Sequence, residues 1–272
     1  MRIMTLMTDG ADTHDRPDPP AESGPAGLLG RVDIVLVEPR GPRNIGSTAR
    51  AMRNFGLSSL HVINGPPLDH PEAVMMAVNA GGLLRRASTH DALEDAIADA
   101  TFVVGTTAKR RYRLPTLRPR EAAERLIEEA ARGRVAILFG REDHGLDGEE
   151  LRHAHATVAI ETAPECRALN ISQAVLLLAY ELWLAADASG VVADSNAGRL
   201  LTSQMRERLG RELVEAMTTV GMLHDGNEIP LVQSIERILA LGPMQSRDAR
   251  VLFALARRVQ NLLSDGPQSG LE

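Results

Sequence analysis

The sequence predicts an α/β fold with a mostly parallel sheet, followed by a small all-helical domain. Three observations carry that expectation. Five short apolar runs, at 32–37, 60–63, 101–105, 134–139 and 157–161, alternate with helical stretches, the order that builds a parallel sheet. The first of them is apolar at nearly every position rather than at every second one, as expected of a strand covered on both faces. After a small, polar linker at 189–198 no such run recurs, and three amphipathic segments, 200–218, 229–241 and 246–263, form the helical domain of residues 199–272.

Composition bounds the rest. A chain of 272 residues with 44% apolar content has room for one sizeable domain and a small one. It contains no run of eighteen apolar residues and no apolar signal core at its start, so no membrane partner is expected. The single Cys166 cannot form an internal disulfide, which suits a reducing, cytoplasmic setting. Neither zinc-type Cys/His spacing nor HExxH occurs, so no metal is expected. The net charge of −6 argues mildly against a nucleic-acid partner, but its distribution does not. Residues 1–30, rich in Pro, Asp, Gly and Ala, carry half of that excess and read as a disordered leader. Between Thr101 and Arg120 stand Lys109, Arg110, Arg111, Arg113, Arg118 and Arg120 with no acid among them. Such a loop is either simply solvated or a local positive field for phosphate.

The organising stretch is 31–56, strand, turn and helix. Glu38-Pro39-Arg40-Gly41-Pro42 breaks the strand, and Asn44 is placed to cap the helix that follows. Ile45, Ala49 and Met52 form one side of that helix; Arg43, Ser47, Arg50 and Asn54 form another. An arginine is thereby held near the carboxyl end of a strand, where open α/β sheets bind ligands. Further on, 72–78 is expected to be helical, Gly81-Gly82 to turn, and 91–100 to form an amphipathic helix. Strand 101–105 runs into the small residues Thr106, Thr107 and Ala108, which let backbone N–H groups approach a ligand and also suit any tight turn. A helix at 120–131 leads to strand 134–139 and the loop Gly140–Leu146, whose lone His144 reads as exposed or structurally bonded. The helix at 171–187 is apolar nearly all round, so it is either a central core helix or one whose cover is completed by a second subunit.

Three stretches resemble the SpoU/TrmH-type RNA ribose methyltransferases of the SPOUT superfamily. They are Asn44-Ile45-Gly46 with Arg50 and Gly56, then Phe139-Gly140-x-Glu142-x-x-Gly145-Leu146, and then Pro164-Glu165…Leu169-Asn170-x-Ser172-x-Ala174-Val175. Each follows an expected strand, in the family's order, and together they span residues 31–188. Cys166 stands where the family more often has an aromatic residue. The placement of the helical tail resembles the TrmJ branch, which acts on tRNA.

The resemblance implies a C-terminal trefoil knot in the methyltransferase domain, a homodimer with the active site across its interface, and S-adenosylmethionine as cofactor. It implies that Thr106, Thr107, Ala108, Gly140, Ile160, Arg167, Ala168 and Leu169 hold the cofactor. Arg50 would be the catalytic group and Asn44 its aid. Free arginine, with a pKa above about 12, is a poor base at neutral pH, so Arg50 fits a positioner of phosphate and hydroxyl better than a proton acceptor. Ser172 and Asn170 would reach the substrate or cap the last helix. Lys109, Arg110, Arg111 and Arg113 would meet RNA, with tRNA (position 32 of the anticodon loop, in the TrmJ branch) favoured over rRNA. The competing classes are a non-catalytic RNA-binding protein on the same fold and a Rossmann oxidoreductase, for which no GxGxxG follows any expected strand.

Overall fold

The computed structural model describes residues 24–107, 114–163, 165, 169–190, 200–223 and 228–264. In chain order the elements are α1 (Pro25–Leu29), β1 (Val32–Val37), α2 (Pro42–Asn54), β2 (Ser59–Ile63), α3 (Pro71–Ala77), a 3-10 turn (Val78–Ala80), α4 (Gly81–Arg86), β3 (Ser88–His90), α5 (Leu93–Ala96) and β4 (Ala100–Thr107). There follow β5 (Thr116–Leu117), α6 (Pro119–Ala130), β6 (Arg134–Phe139), α7 (Gly148–Arg152), β7 (Ala156–Ala159), α8 (Ile171–Ser189), α9 (Ser203–Thr219), α10 (Glu228–Leu239) and α11 (Ser246–Ser264).

The strands form one sheet in the order β3-β2-β1-β6-β4-β7-β5, and every neighbouring pair is parallel. β1 is buried throughout because it lies inside the sheet with helices over both faces. Val32, Ile34 and Leu36 join a core with Leu28 of α1, Ile45 and Met52 of α2, Leu126 of α6, and Val175, Leu178 and Leu182 of α8. Val35 and Val37 face the other way, toward Ile97, Val103, Leu138 and Leu151. The polar Asp33 within β1 is paired: Arg134 donates to it through Nε at 3.1 Å, and His61 lies 3.6 Å away. Burial pushes its carboxyl up, but the hydrogen bonds from His61 and Arg134 outweigh that and hold its pKa below the ordinary value.

Among the described residues the second face of the sheet has two short helices of its own, α5 and α7, and the tail supplements them. Ser203 Oγ donates to the Ala100 carbonyl at 3.0 Å, and Gln204 N to that of Ala98 at 3.2 Å. Arg206, only 9% exposed, lies against the buried ring of His155 and donates through Nη2 to the His153 carbonyl at 2.7 Å. Burial and the Arg206 charge push the His155 pKa far down, so the ring is neutral. The tail also has a core of its own, Leu201, Leu209, Ile235, Leu239 and Ala249.

Several expectations are corrected. The disordered leader expected over residues 1–30 does not hold over the whole span: α1 lies within it, with Leu28 fully buried, and a Pro-Ala-Gly setting hides two leucines that the core needs. Gly81-Gly82 opens α4 instead of making a turn. The helix expected over 91–100 is only α5: Leu93, Ala96 and Ile97 do pack inward, but Ala100 already opens β4. β3 and β5 add two strands to the five that the sequence predicts. Asn44 is not a cap: Gly41 is the N-cap, Pro42 is the first helical residue, and Asn44 sits in the first turn with its side chain directed elsewhere. α8 is long and apolar enough to cross a membrane by length and composition alone. One side of it is core, whereas Leu176, Leu177, Tyr180 and Trp183 are exposed on the rest, which removes the reading of a helix buried all round.

Candidate active site

Parallel pairing brings the ends of three strands to one edge. Thr107 pairs with Ala159, and Gly105 with Leu138. Thr106 and Thr107, Gly140, and Ile160 therefore all stand at the carboxyl ends of the neighbouring strands β4, β6 and β7. Thr106 Oγ1 donates to the Leu138 carbonyl at 2.9 Å, which fastens the end of β4 to β6. Gly140 is required by its own loop: a Cβ there would lie 2.2 Å from the Gly145 carbonyl carbon and 2.3 Å from the Leu146 nitrogen. The 140–146 loop turns back so tightly that Arg141 and Gly145 form an antiparallel bridge. Ile160 packs partly buried against the core, and Leu169 is half-buried just before α8. Ala108, Lys109, Arg110, Arg111, Arg113, Arg167 and Ala168 lie outside the described residues. Of the remaining cations in the basic stretch, Arg118 meets Glu161 at 4.0 Å and Arg120 meets Glu181 at 3.4 Å. The acids missing from the local sequence are thus supplied from 43 and 61 residues away.

The three sequence motifs are joined by one chain of side-chain hydrogen bonds. Asn44 Nδ2 donates to Glu142 Oε1 at 2.7 Å, and Asn44 Oδ1 accepts from Asn170 Nδ2 at 2.9 Å. Asn170 Oδ1 in turn accepts from the Ser172 backbone N–H at 2.9 Å and from Ser172 Oγ at 2.7 Å, capping α8. Asn170 therefore caps the helix, Ser172 lies in the first turn as a donor to that cap, and the same Asn170 holds Asn44. Glu142, in the sequence a residue of the second motif alone, is tied into the structure at both oxygens. Its second oxygen accepts from the Arg40 backbone N–H at 3.2 Å. With both oxygens engaged, it acts as an anchor for Asn44 and the 38–42 turn rather than as a proton carrier. The signal that points to it in sequence is its place in the Phe-Gly-x-Glu stretch.

Beside this chain lies a polar cleft of about 690 Å³, lined by Glu38, Arg40, Asn64, Arg141, His144 and Asp147 among others. Arg141 stands between two carboxylates, donating to Glu38 at 2.7 Å and to Glu150 at 2.8 Å. The hydrogen bond from Arg141 lowers the Glu38 pKa, and the reciprocal bond raises that of Arg141. Glu38 and Asn64, at the ends of adjacent strands, both take a positive φ of 48°, a conformation non-glycine residues adopt at a cost. His144 is exposed and lies 2.6 Å from Asp143.

Arg50 lies on α2, six residues beyond Asn44, with its side chain exposed. Among the described residues it has no hydrogen-bond or ion-pair partner. A guanidinium held on a rigid helix with its donors open is suited to an anionic or oxyanionic ligand. The packing that sets α2 in place explains the motif's glycine: a Cβ on Gly46 would lie 2.1 Å from the Ala73 carbonyl oxygen of α3.

Comparison with known proteins gives a consistent picture. The family model described as "SpoU rRNA Methylase family" matches residues 31–180. The tRNA (cytidine/uridine-2′-O-)-methyltransferase TrmJ of Salmonella typhimurium is 33% identical over 239 residues, covering 86% of this chain and 98% of the relative. The protein of the same name from Sodalis glossinidius is 34% identical over 240 residues, covering 86% and 93%. Among solved structures, TrmJ from Z. mobilis ZM4 superposes with a TM-score of 0.71 at 27% identity, covering 84% of this chain and 98% of that one.

Proposed function

The chain belongs to the SpoU methylase family, and from that premise we propose that it transfers a methyl group from S-adenosylmethionine to a ribose 2′-hydroxyl of tRNA, at a cytidine or uridine. The relatives that match along the tail as well as the catalytic domain carry that activity in their names. Position 32 of the anticodon loop is the target we infer, in the cytoplasm. The observation that carries the reading is the Glu142–Asn44–Asn170–Ser172 chain, which welds the three motifs into one site on the same helix as Arg50.

The cofactor fits at the shared carboxyl edge of β4, β6 and β7, where the half-buried Thr106, Thr107, Gly140, Ile160 and Leu169 offer backbone N–H and C=O groups. When bound, S-adenosylmethionine supplies an electrophilic methyl group. The protein's task is to align the alcohol and to ease loss of its proton. Arg50 grips the neighbouring phosphate and the hydroxyl and stabilises the negative charge that grows on the oxygen. Asn44 keeps α2 in register with the loop that follows β6. The knotted arrangement of the family is part of this reading.

We take the active unit to be a homodimer. Leu176, Leu177, Tyr180 and Trp183 expose more than 40% of their surface on one helix, a contiguous apolar face of the kind that marks an interface. Tritiated-methyl transfer onto purified tRNA and rRNA, followed by mapping of 2′-O-methyl sites, tests the proposal. Label confined to rRNA, or absent from both, refutes it.

A further inference from the structure

The surface built by α2, α3, the 3-10 turn and α4 has a charge opposite to that of the whole chain. Residues 42–54 and 71–86 hold Arg43, Arg50, Arg53, Arg85 and Arg86 against a single acid, Glu72, in a chain of net charge −6. Glu72 is occupied by Arg43, whose Nε donates to it at 3.0 Å. Among the described residues Arg50, Arg53 and Arg85 have no ion-pair or hydrogen-bond partner, and all three are exposed.

Their placement is ordered. Gly46 marks the side of α2 that meets α3. Arg50 and Arg53 follow it by four and seven positions, the spacing that keeps residues on one side of a helix. Past the end of α3, α2 packs against the 3-10 turn and α4. On α4 the arginine side chains fold back over two glycines. A Cβ on Gly82 would lie 3.4 Å from Arg86 Nη1 and 3.9 Å from Arg85 Nη2, and one on Gly81 would lie 3.4 Å from Arg85 Nη1. Two guanidinium groups thus converge on one point that the absence of side chains leaves clear. Of the two, Arg85 is open to a ligand, and a phosphate brought to it gains charge-assisted hydrogen bonds.

We propose that Arg53 and Arg85, with Arg86 beside them, form an anchoring track for the RNA sugar-phosphate backbone, leading from Arg50 along α2 onto α4. This rests on the reading of the substrate as RNA. The track touches phosphates alone, so it positions the strand without selecting sequence. It also gives an acidic protein a local field that steers a polyanion to the active site.

The test compares the wild type, Arg53→Ala/Arg85→Ala and Arg53→Lys/Arg85→Lys. Fluorescein-labelled unfractionated tRNA is the binding probe, titrated by anisotropy from low to moderate KCl, with methyl transfer measured alongside. The alanine pair is expected to raise KM for tRNA about tenfold, keep kcat within about twofold, and lower the slope of log Kd against log salt by about 1.4–1.8, the loss of two phosphate contacts. The lysine pair restores the slope. An unchanged Kd and slope in the alanine pair overturns the track and leaves the proposed reaction standing, as does a collapse of kcat without a change in KM. Binding that weakens as expected in the alanine pair, alongside a wild type that binds tRNA but methylates no RNA, upholds the track and overturns the reaction. A wild type that binds no tRNA overturns both.

Discussion

Replacing Gly140 by alanine forces a backbone to move. The new Cβ would stand 2.2 Å from the Gly145 carbonyl carbon, 2.3 Å from the Leu146 nitrogen and 2.6 Å from the Gly145 oxygen. All three are main-chain atoms, so no rotamer change relieves the clash, and the two arms of the 140–146 loop must part by nearly an ångström. Overpacking of this kind costs about 1–3 kcal/mol. At about 2 kcal/mol the melting temperature of a domain this size falls by about 4–8 °C. If the same loop holds the cofactor, the affinity for S-adenosylmethionine falls at least about tenfold, because a misplacement near one ångström disrupts a fitted site. Differential scanning calorimetry and titration calorimetry read the two effects. Gly148→Ala, where a Cβ meets nothing within 4 Å, is the control and changes neither. A Gly140→Ala protein that melts within about 1 °C of wild type and binds the cofactor equally well refutes the reasoning.

Three further outcomes are expected. Arg50→Ala keeps fold and cofactor binding, by circular dichroism and calorimetry, while methyl transfer is lost; turnover like that of wild type ends Arg50's proposed role. In a double-mutant cycle, Asn44→Ala and Glu142→Ala show a coupling of about 0.5–3 kcal/mol in urea unfolding, since they share the 2.7 Å bond; additive losses contradict that bond's importance. His155 is held neutral in the fold, its pKa well below 6.5, so as pH drops below that value the unfolded chain takes up a proton that the native state refuses. Its stabilising contribution is present above that pH and declines below it, by up to about 1.4 kcal/mol per pH unit. Urea midpoints measured from pH 8 to pH 5 should fall less steeply in His155→Gln, and identical slopes reject the assignment.

What the sequence revealed is what local chemistry dictates. β1 and β6 could be read because a strand buried on both faces has to be apolar throughout, and the Gly140–Leu146 loop because regular structure must end there. β3 and β5 are three and two residues long, too short for any period to show. α1 was missed because its two leucines sit in a stretch whose composition otherwise lacks a core. Asn44 illustrates the limit best. A residue type that favours caps stood near a helix start, yet Gly41 and Pro42 begin the helix earlier, and the side chain meets residues 98 and 126 positions away. Pairings at such separations leave no mark on local spacing. Arg206 escaped for the same reason: a charged residue on an amphipathic helix looks solvated until the surface it packs against is known.

That buried arginine has a consequence for anyone who would dissect the molecule. The tail has its own small core, which invites its excision as a separate module. Yet cutting it away would bare the His155 ring, strip the Ala100 carbonyl of its hydroxyl donor and uncover the sparsely roofed side of the sheet. A shortened enzyme that fails would therefore be reporting an injured scaffold, and any separate role of the tail is better weighed by exchanging charges on its outer surface while Arg206 and Ser203 stay in place.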